Sequence, residues 1–158
     1  MTHAIVDSPL GPLTLVERGG AVAGLYMTEH RHMPALESSR DDTVLPELQE
    51  QLAGYFAREL KEFDVALSVA GTPFQQRVWA GLAQIPYGEA WSYAELAEHI
   101  GSPTAVRAVG LANGRNPVSI VVPCHRVVGS NGSLTGYGGG LERKQLLLDL
   151  ERGLTSTT

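Results

Sequence analysis

The chain has 158 residues, of which 43% are hydrophobic and 18% are charged, and its formal net charge is −5. This composition excludes an intrinsically disordered protein, and the longest apolar runs fall far short of the ~20 residues that a membrane-spanning helix needs. The single cysteine, Cys124, excludes an internal disulfide and a zinc site built on several thiolates. No signal peptide is visible at the N-terminus, so we expect a globular cytoplasmic protein without a membrane partner.

The N-terminal part of the sequence predicts a small sheet covered by a helix. Residues 1–27 alternate apolar positions with turn residues, which is typical of short antiparallel strands. Residues 28–45 are polar and predict a surface loop. The apolar residues of segment 46–60 share one helical face, with a proline at the natural starting position. Residues 63–69 alternate again and predict a further strand.

A domain boundary is predicted at residues 70–73, where Ala, Gly, Thr and Pro follow one another. The fold class is therefore α/β (α+β): residues 1–71 form an N-terminal α/β domain with an antiparallel sheet and a covering helix, and residues 72–158 form a mostly helical domain. The first domain has 11 acidic and 5 basic residues, whereas segment 103–144 has 1 acidic and 5 basic ones. This basic segment could meet an anionic polymer, although a chance fluctuation would give the same counts.

The C-terminal domain begins with a pattern of short helices. A helix is predicted from Thr72 or Pro73 to Ile85, a second after the capping box of Ser92 and Glu95, and a third over 104–113. The last two are separated by a three-residue turn that contains a glycine, which fits a helix-turn-helix. An ordinary αα-hairpin would give the same pattern.

Cys124 lies in a setting typical of an activated thiol. A working nucleophile needs help to ionise, because an ordinary thiol is mostly protonated at neutral pH. His125 and Arg126 place a base and a positive charge beside it. Adjacent side chains of an extended segment point in opposite directions, so we expect His125 to reach Cys124 through a water. Alternatively, a lone cysteine is a small buried hydrophobic residue.

The glycine cluster at 136–140 surrounds Tyr137 and precedes a predicted helix over 141–150. Residues without a Cβ let backbone N–H groups approach a planar ligand or a phosphate, and the tyrosine offers a stacking surface. A flexible loop is the alternative. The helix is predicted to bury Leu146, Leu147 and Leu150. Glu151, one position further, is either a solvated helix end or a carboxylate that orients His125.

Together these motifs resemble the O6-alkylguanine-DNA alkyltransferase family, closely over about residues 72–151 and more loosely at residues 7–13. The matching segments, in the family's order and spacing, are FQQRVW at 74–79, IPYG at 85–88, SY at 92–93, RAVG at 107–110, NP at 116–117, IVVPCHRVV at 120–128 and LTGYGGGL at 134–141.

The resemblance implies direct DNA repair by a stoichiometric protein-cysteine S-methyltransferase that uses no cofactor. An alkyl group, typically methyl, would pass irreversibly from guanine O6 in DNA, and from thymine O4 if that base is also repaired, to Cys124. Water and His125 would take the thiol proton, Glu151 would hold His125, and Asn116 would brace the turn that carries the cysteine.

The resemblance also implies a monomer that binds double-stranded DNA through the minor groove, with cooperative binding left open. Arg107 would replace the extruded nucleotide in the stack, and Tyr93 would crowd its phosphate. The remaining implied DNA contacts are Ala105, Ala108 and Ser130, and the implied base pocket consists of Tyr93, Val127, Tyr137 and Gly138 beside Cys124.

The chain departs from some family members in two ways. Gly138 stands where some members carry a serine, so any contact from that hydroxyl is lost. The N-terminal cysteines that bind zinc in other members are missing, and His30 and His32 are expected to be solvated, so no metal site is predicted.

Two other classes remain open on the residues alone. A Cys/His hydrolase would need an oxyanion hole and many turnovers. A helix-turn-helix regulator without chemistry would keep its activity when Cys124 is replaced by serine.

Overall fold

The structure is a computed structural model that describes residues 1–27, 38–133, 137 and 140–153. The predicted N-terminal hairpins are confirmed. Strands β1 (Thr2–Val6), β2 (Leu13–Arg18) and β3 (Ala21–Met27) pair antiparallel, and β4 (Ser39–Arg40) pairs parallel to β1, giving the order β3-β2-β1-β4. Gly19 and Gly20 join β2 to β3 with φ of 60° and 83°, which is the left-handed pair that a two-residue hairpin turn requires.

Helix α1 (Pro46–Phe56) begins at the predicted proline but ends four residues before the predicted end. It buries Leu48, Leu52 and Tyr55 in the core. The strand predicted over 63–69 is wrong in extent. This segment forms only an isolated bridge between Leu67 and Val22, with Val22 N donating to Ala66 O at 2.8 Å, because alternation marks an extended chain and does not by itself supply a partner strand.

The C-terminal half contains the predicted short helices. They are α2 (Pro73–Leu82), α3 (Tyr93–His99) and α4 (Val106–Gly114), followed by a 3₁₀ turn (Cys124–Arg126) and α5 (Leu141–Glu151); β5 (Trp91–Ser92) and β6 (Val127–Val128) pair parallel. The predicted capping box of Ser92 and Glu95 is present, with Glu95 N donating to Ser92 Oγ at 3.0 Å. Gly101, at φ 79°, lies in the turn between α3 and α4, which confirms the helix-turn-helix.

The buried residues on either side of residue 71 form one continuous core. Strand β3 meets the segment after α4 directly, since Leu25 N donates to Pro117 O at 2.9 Å and Ser119 N donates to Leu25 O at 3.3 Å. The sheet thus supports the segment that leads to Cys124. A boundary at residue 71 stays a prediction. In the described part of the chain, no helix has both the length and the apolar character that crossing a bilayer would need.

Candidate active site

Asn116 organises the turn that leads to Cys124. Its side chain is buried; Nδ2 donates to Val122 O at 2.8 Å and to Val118 O at 3.4 Å, and Oδ1 accepts from Val118 N at 3.1 Å. One amide therefore ties both ends of the turn together. These bonds fit the bracing role that the family resemblance implies for Asn116.

The same turn holds Ile120 in a left-handed conformation, with φ of 72°. A β-branched residue adopts this conformation at a cost of about 1–3 kcal/mol, which the surrounding structure must offset. Two backbone bonds enclose it, from Val121 N to Ser119 O at 2.8 Å and from Val122 N to Val118 O at 3.0 Å. The strain lies directly before the cysteine segment.

Cys124 begins the 3₁₀ turn and is 4% exposed. Burial raises the pKa of its thiol. The side chain of Asn116, the positive charge of Lys144 and the hydroxyl of Ser119 act in the opposite direction. The thiol is thus kept from water but surrounded by groups that favour its thiolate.

Glu151, the last residue of α5, lies beside the cysteine turn with its side chain fully buried. His125 Nε2 is 2.7 Å from Glu151 Oε2. Arg126 binds the same carboxylate with two hydrogen bonds, from Nε to Oε1 at 2.8 Å and from Nη2 to Oε2 at 2.9 Å. The solvated helix end that the sequence left open is wrong, and the alternative, a carboxylate that contacts His125, is confirmed.

The protonation of this pair follows from its contacts. Burial alone would raise the pKa of Glu151, but the hydrogen bonds and charges of His125 and Arg126 outweigh it and lower the pKa to about 2. A carboxylate can only accept, so Nε2 of His125 carries the proton. Burial lowers the pKa of His125, which keeps the ring neutral at neutral pH.

His125 Nδ1 is therefore free to accept a proton. It is buried and has no hydrogen-bond partner among the described residues. A buried nitrogen without a protein partner fits a bridging water better than a direct contact with the thiol.

Lys144 is a residue that the sequence reasoning missed, and its side chain is completely buried. Burial lowers its pKa to about 8, while the negative charge of Cys124 acts to raise it. Helix α5 buries Lys144, Leu147, Leu148 and Glu151, which recur at i, i+3, i+4 and i+7.

The predicted apolar face of α5 is correct at Leu147 and Leu150 but wrong at Leu146, which is 46% exposed. Leu146 was assigned to the buried face because a hydrophobic pattern counts only apolar residues, whereas Lys144 and Glu151, which are charged, occupy two of the buried positions. Their shared spacing with Leu147 was the signal that could have identified the lysine.

Four of the five residues expected to bind DNA lie around the helix-turn-helix. Tyr93 begins α3, Ala105 directly precedes α4, and Arg107 and Ala108 are exposed on α4. A Cβ at Gly110 would lie 3.7 Å from the Tyr93 ring, at ordinary contact distance, so the start of α3 lies beside α4. Ser130 lies elsewhere, in the exposed turn after β6.

The predicted base pocket is partly described. Val127 is buried in β6, and its N–H donates to Cys124 O. Tyr137 is buried, and its hydroxyl has no hydrogen-bond partner within the described ranges. Gly138 lies outside the described residues.

His30 and His32 also lie outside the described residues. Within residues 1–27, 38–133, 137 and 140–153, no group of three or more His, Cys, Asp or Glu side chains could hold a metal ion.

Comparison with known proteins places these features in a family. Residues 73–153 match the family model described as "6-O-methylguanine DNA methyltransferase, DNA binding domain". The methylated-DNA--protein-cysteine methyltransferase of Mycobacterium tuberculosis is 54% identical over 151 residues, which cover 95% of this chain and 92% of the relative. The constitutive enzyme of that name from Bacillus subtilis is 45% identical, covering 95% and 94%. The crystal structure of M. tuberculosis OGT in complex with DNA is 50% identical, with a TM-score of 0.94, and covers 99% of this chain and 96% of that one.

The buried charge of Lys144 should make the thiol more acidic. Because its pKa is about 8, Lys144 is charged at pH 7 but largely neutral at the higher pH at which the buried thiol ionises in full. Replacing Lys144 with methionine keeps a similar shape without the charge, so the rate at which iodoacetamide alkylates Cys124 at pH 7 should fall about tenfold. Cys124 is the chain's single cysteine, so all alkylation reports on it. Lys61, the chain's other lysine, is exposed, and K61M serves as the control. Equal alkylation rates at pH 7 in K144M and K61M would contradict the role of Lys144.

Proposed function

The chain belongs to the 6-O-methylguanine DNA methyltransferase family, and we propose that it repairs DNA directly by moving an alkyl group from guanine O6 to its own Cys124. The observation that carries the proposal is the buried cysteine beside a neutral histidine whose other nitrogen bonds a buried carboxylate. This arrangement supplies a base for the thiol without exposing the thiol to solvent. O4-alkylthymine is a second candidate substrate for the same thiol.

The chemistry is a single displacement at the alkyl carbon. The bond from Cys124 Sγ to that carbon forms while the bond from the carbon to guanine O6 breaks. The thiol proton passes through a water to Nδ1 of His125, and the guanine that departs takes up one proton. Over the whole reaction the proton of the thiol is replaced by the alkyl group, and guanine regains its proton.

Each neighbour of Cys124 has a distinct role in this scheme. Glu151 fixes the tautomer of His125 and stabilises the imidazolium that forms. Asn116 holds the turn that presents the sulfur, and Lys144 offsets the developing negative charge. Since a thioether is not cleaved by water under mild conditions, each molecule reacts once.

The base pocket that we propose combines buried groups near the thiol with residues of the helix-turn-helix. Tyr137 has a buried hydroxyl with no partner among the described residues, which suits a contact with the edge of an extruded base. Val127 is buried three positions after Cys124, and its N–H donates to Cys124 O. Tyr93 and the backbone of Gly138 complete the proposed pocket.

The DNA-binding surface that we propose is the exposed face of α4. Its first turn has no acidic residue and no side-chain cap, so its N–H groups favour phosphate. Arg107 and Leu111, one turn apart, are exposed, and Leu111 is 68% exposed. Apolar and small side chains such as Leu111, Ala105 and Ala108 suit a minor groove. We infer that Ser130 adds a phosphate contact and that Arg107 fills the space of the extruded base.

We further infer that the protein acts as a monomer on double-stranded DNA, whether or not successive molecules bind cooperatively. The DNA that M. tuberculosis OGT binds in its crystal structure supports DNA as the partner. The cytoplasmic location predicted from the sequence also stays a proposal.

Single-turnover chemistry predicts one methyl group per protein molecule. After incubation with excess duplex DNA containing O6-methylguanine, mass spectrometry should find a single methyl group, on Cys124. Cys124→Ala should bind the same duplex and remove no methyl group, because the thiol is not needed for docking. Methyl groups on another residue, or more repaired guanine than protein, would exclude the proposed mechanism.

Arg107 should matter for duplex DNA and not for the chemistry. Keeping a base out of the stack costs a few kcal/mol, so Arg107→Ala should slow repair of duplex O6-methylguanine on the order of a hundredfold. The reaction with free O6-benzylguanine should stay within about twofold of wild type, since no base is extruded. Arg18→Ala removes an exposed arginine of β2 and controls for the loss of charge. Equal losses on both substrates would assign Arg107 to the fold or the chemistry.

A further inference from the structure

Tyr55 connects the N-terminal helix to the proposed proton relay. It lies on α1 and is completely buried. Its ring packs against Phe56, Phe63 and Tyr87, with ring centroids 5.3, 5.4 and 6.2 Å away. Its hydroxyl donates to Glu151 Oε2 at 2.6 Å, across 96 positions of sequence. An N-terminal residue therefore touches the carboxylate that holds His125.

The two oxygens of Glu151 are not equivalent. Oε1 accepts from Arg126 Nε, whereas Oε2 accepts from Arg126 Nη2, from His125 Nε2 and from the Tyr55 hydroxyl. The planar fork of Arg126 already fixes the orientation of the carboxylate. Tyr55 is therefore not needed to hold Glu151 in place. Instead, the Tyr55 hydroxyl changes the charge on Oε2, the oxygen that accepts the hydrogen bond of His125.

The hydroxyl remains a donor at any pH at which the protein works. Burial raises the pKa of Tyr55, and the negative charge of Glu151 raises it further. The positive end of the O–H dipole thus always points at Oε2. It withdraws negative charge from the same atom that stabilises the proton on His125 Nε2.

We propose that Tyr55 is a positioning residue of the relay, whose hydroxyl shares Glu151 Oε2 with His125 and so sets how strongly the carboxylate stabilises a protonated His125. The proposal rests on the alkyl transfer to Cys124 proposed above. It gives the N-terminal helix a part in the chemistry: donation from Tyr55 weakens the bond between Glu151 and His125 and favours the neutral ring that accepts the thiol proton.

Other ionisable groups surround this pair and are unchanged in the test. They come from the cysteine turn, α5, the segment after α2 and the segment before α5, and they are Cys124, Arg126, Lys144, Tyr87 and Tyr137. Tyr87 provides a matched control. Its ring packs edge-on against Tyr55, but its hydroxyl makes no hydrogen bond to Glu151 in the described structure.

The test compares Tyr55→Phe, Tyr87→Phe and a chain with 3-fluorotyrosine at position 55. The first removes the donor and keeps the ring; the third strengthens the donor and keeps the shape. In NMR spectra at neutral pH, the Nε2 proton of His125 should move downfield in Y55F, because its bond to Glu151 strengthens, and upfield with fluorotyrosine. It should not move in Y87F. If Y55F does not fold, the nearly isosteric fluorotyrosine chain decides.

The same chains should differ in the pH dependence of their reaction with O6-benzylguanine. The acid limb of the rate should move up by about half to one pH unit in Y55F and down with fluorotyrosine, because His125 must be neutral to accept the thiol proton. An unmoved Nε2 proton, shifts of the same sign in both variants, or an NMR shift without a shift of the limb would overturn the proposal. A wild-type protein that does not transfer the alkyl group would instead overturn the proposed function, and the NMR comparison would still test the shared oxygen.

Discussion

The buried carboxylate of Glu151 is the group on which both the fold and the site depend. A charge removed from water is costly unless its oxygens are fully hydrogen-bonded, and here donors come from α1 and from the cysteine turn. Arg126 carries the compensating charge, and its Nη1 also donates to Ile85 O at 2.6 Å, in the segment after α2. Without Arg126, Oε1 of Glu151 would lose its donor Nε, and without Glu151 the buried Tyr55 hydroxyl would lose its acceptor. The contacts that assemble the core are therefore the ones that set the protonation of His125.

Burial has opposite consequences for the two groups that exchange the proton. It raises the pKa of Cys124 and lowers that of His125, so both are neutral before reaction. A neutral thiol protected from solvent suits a residue that can react only once, because it reacts slowly with small electrophiles in solution. The groups that favour thiolate, Asn116 and Lys144, act at short range inside the same site. The site therefore stabilises the charges that develop on Cys124 and His125 during the reaction, while the resting thiol stays protonated.

Local sequence patterns predicted the elements and the reacting groups well. The hairpins of β1–β3 and the capping box at Ser92 could be predicted because turn residues and caps act over a few positions. The residues alone left Glu151 either solvated or in contact with His125, 26 positions away, and only the family resemblance chose the contact that the structure shows. The buried face of α5 could not be predicted, because a hydrophobic pattern treats Lys144 as exposed. The left-handed Ile120 could not either, since its conformation is imposed by the amide of Asn116 and not by its own preference.

The contact between Tyr55 and Glu151 shows where such prediction ends. Nothing within α1 distinguishes Tyr55 from the apolar residues beside it, because all of them belong to the same buried face. Its hydroxyl acquires a partner only when α1 and α5 pack together, and a buried hydroxyl without a partner would cost about 1–3 kcal/mol. The buried Tyr55 hydroxyl therefore depends on Glu151 as its acceptor, and through this bond the packing of α1 acts on the oxygen that also bonds His125. A change in how α1 packs would alter the hydrogen bond from Tyr55 to Glu151 and so the pKa of His125, although every residue of the C-terminal motifs would be unchanged.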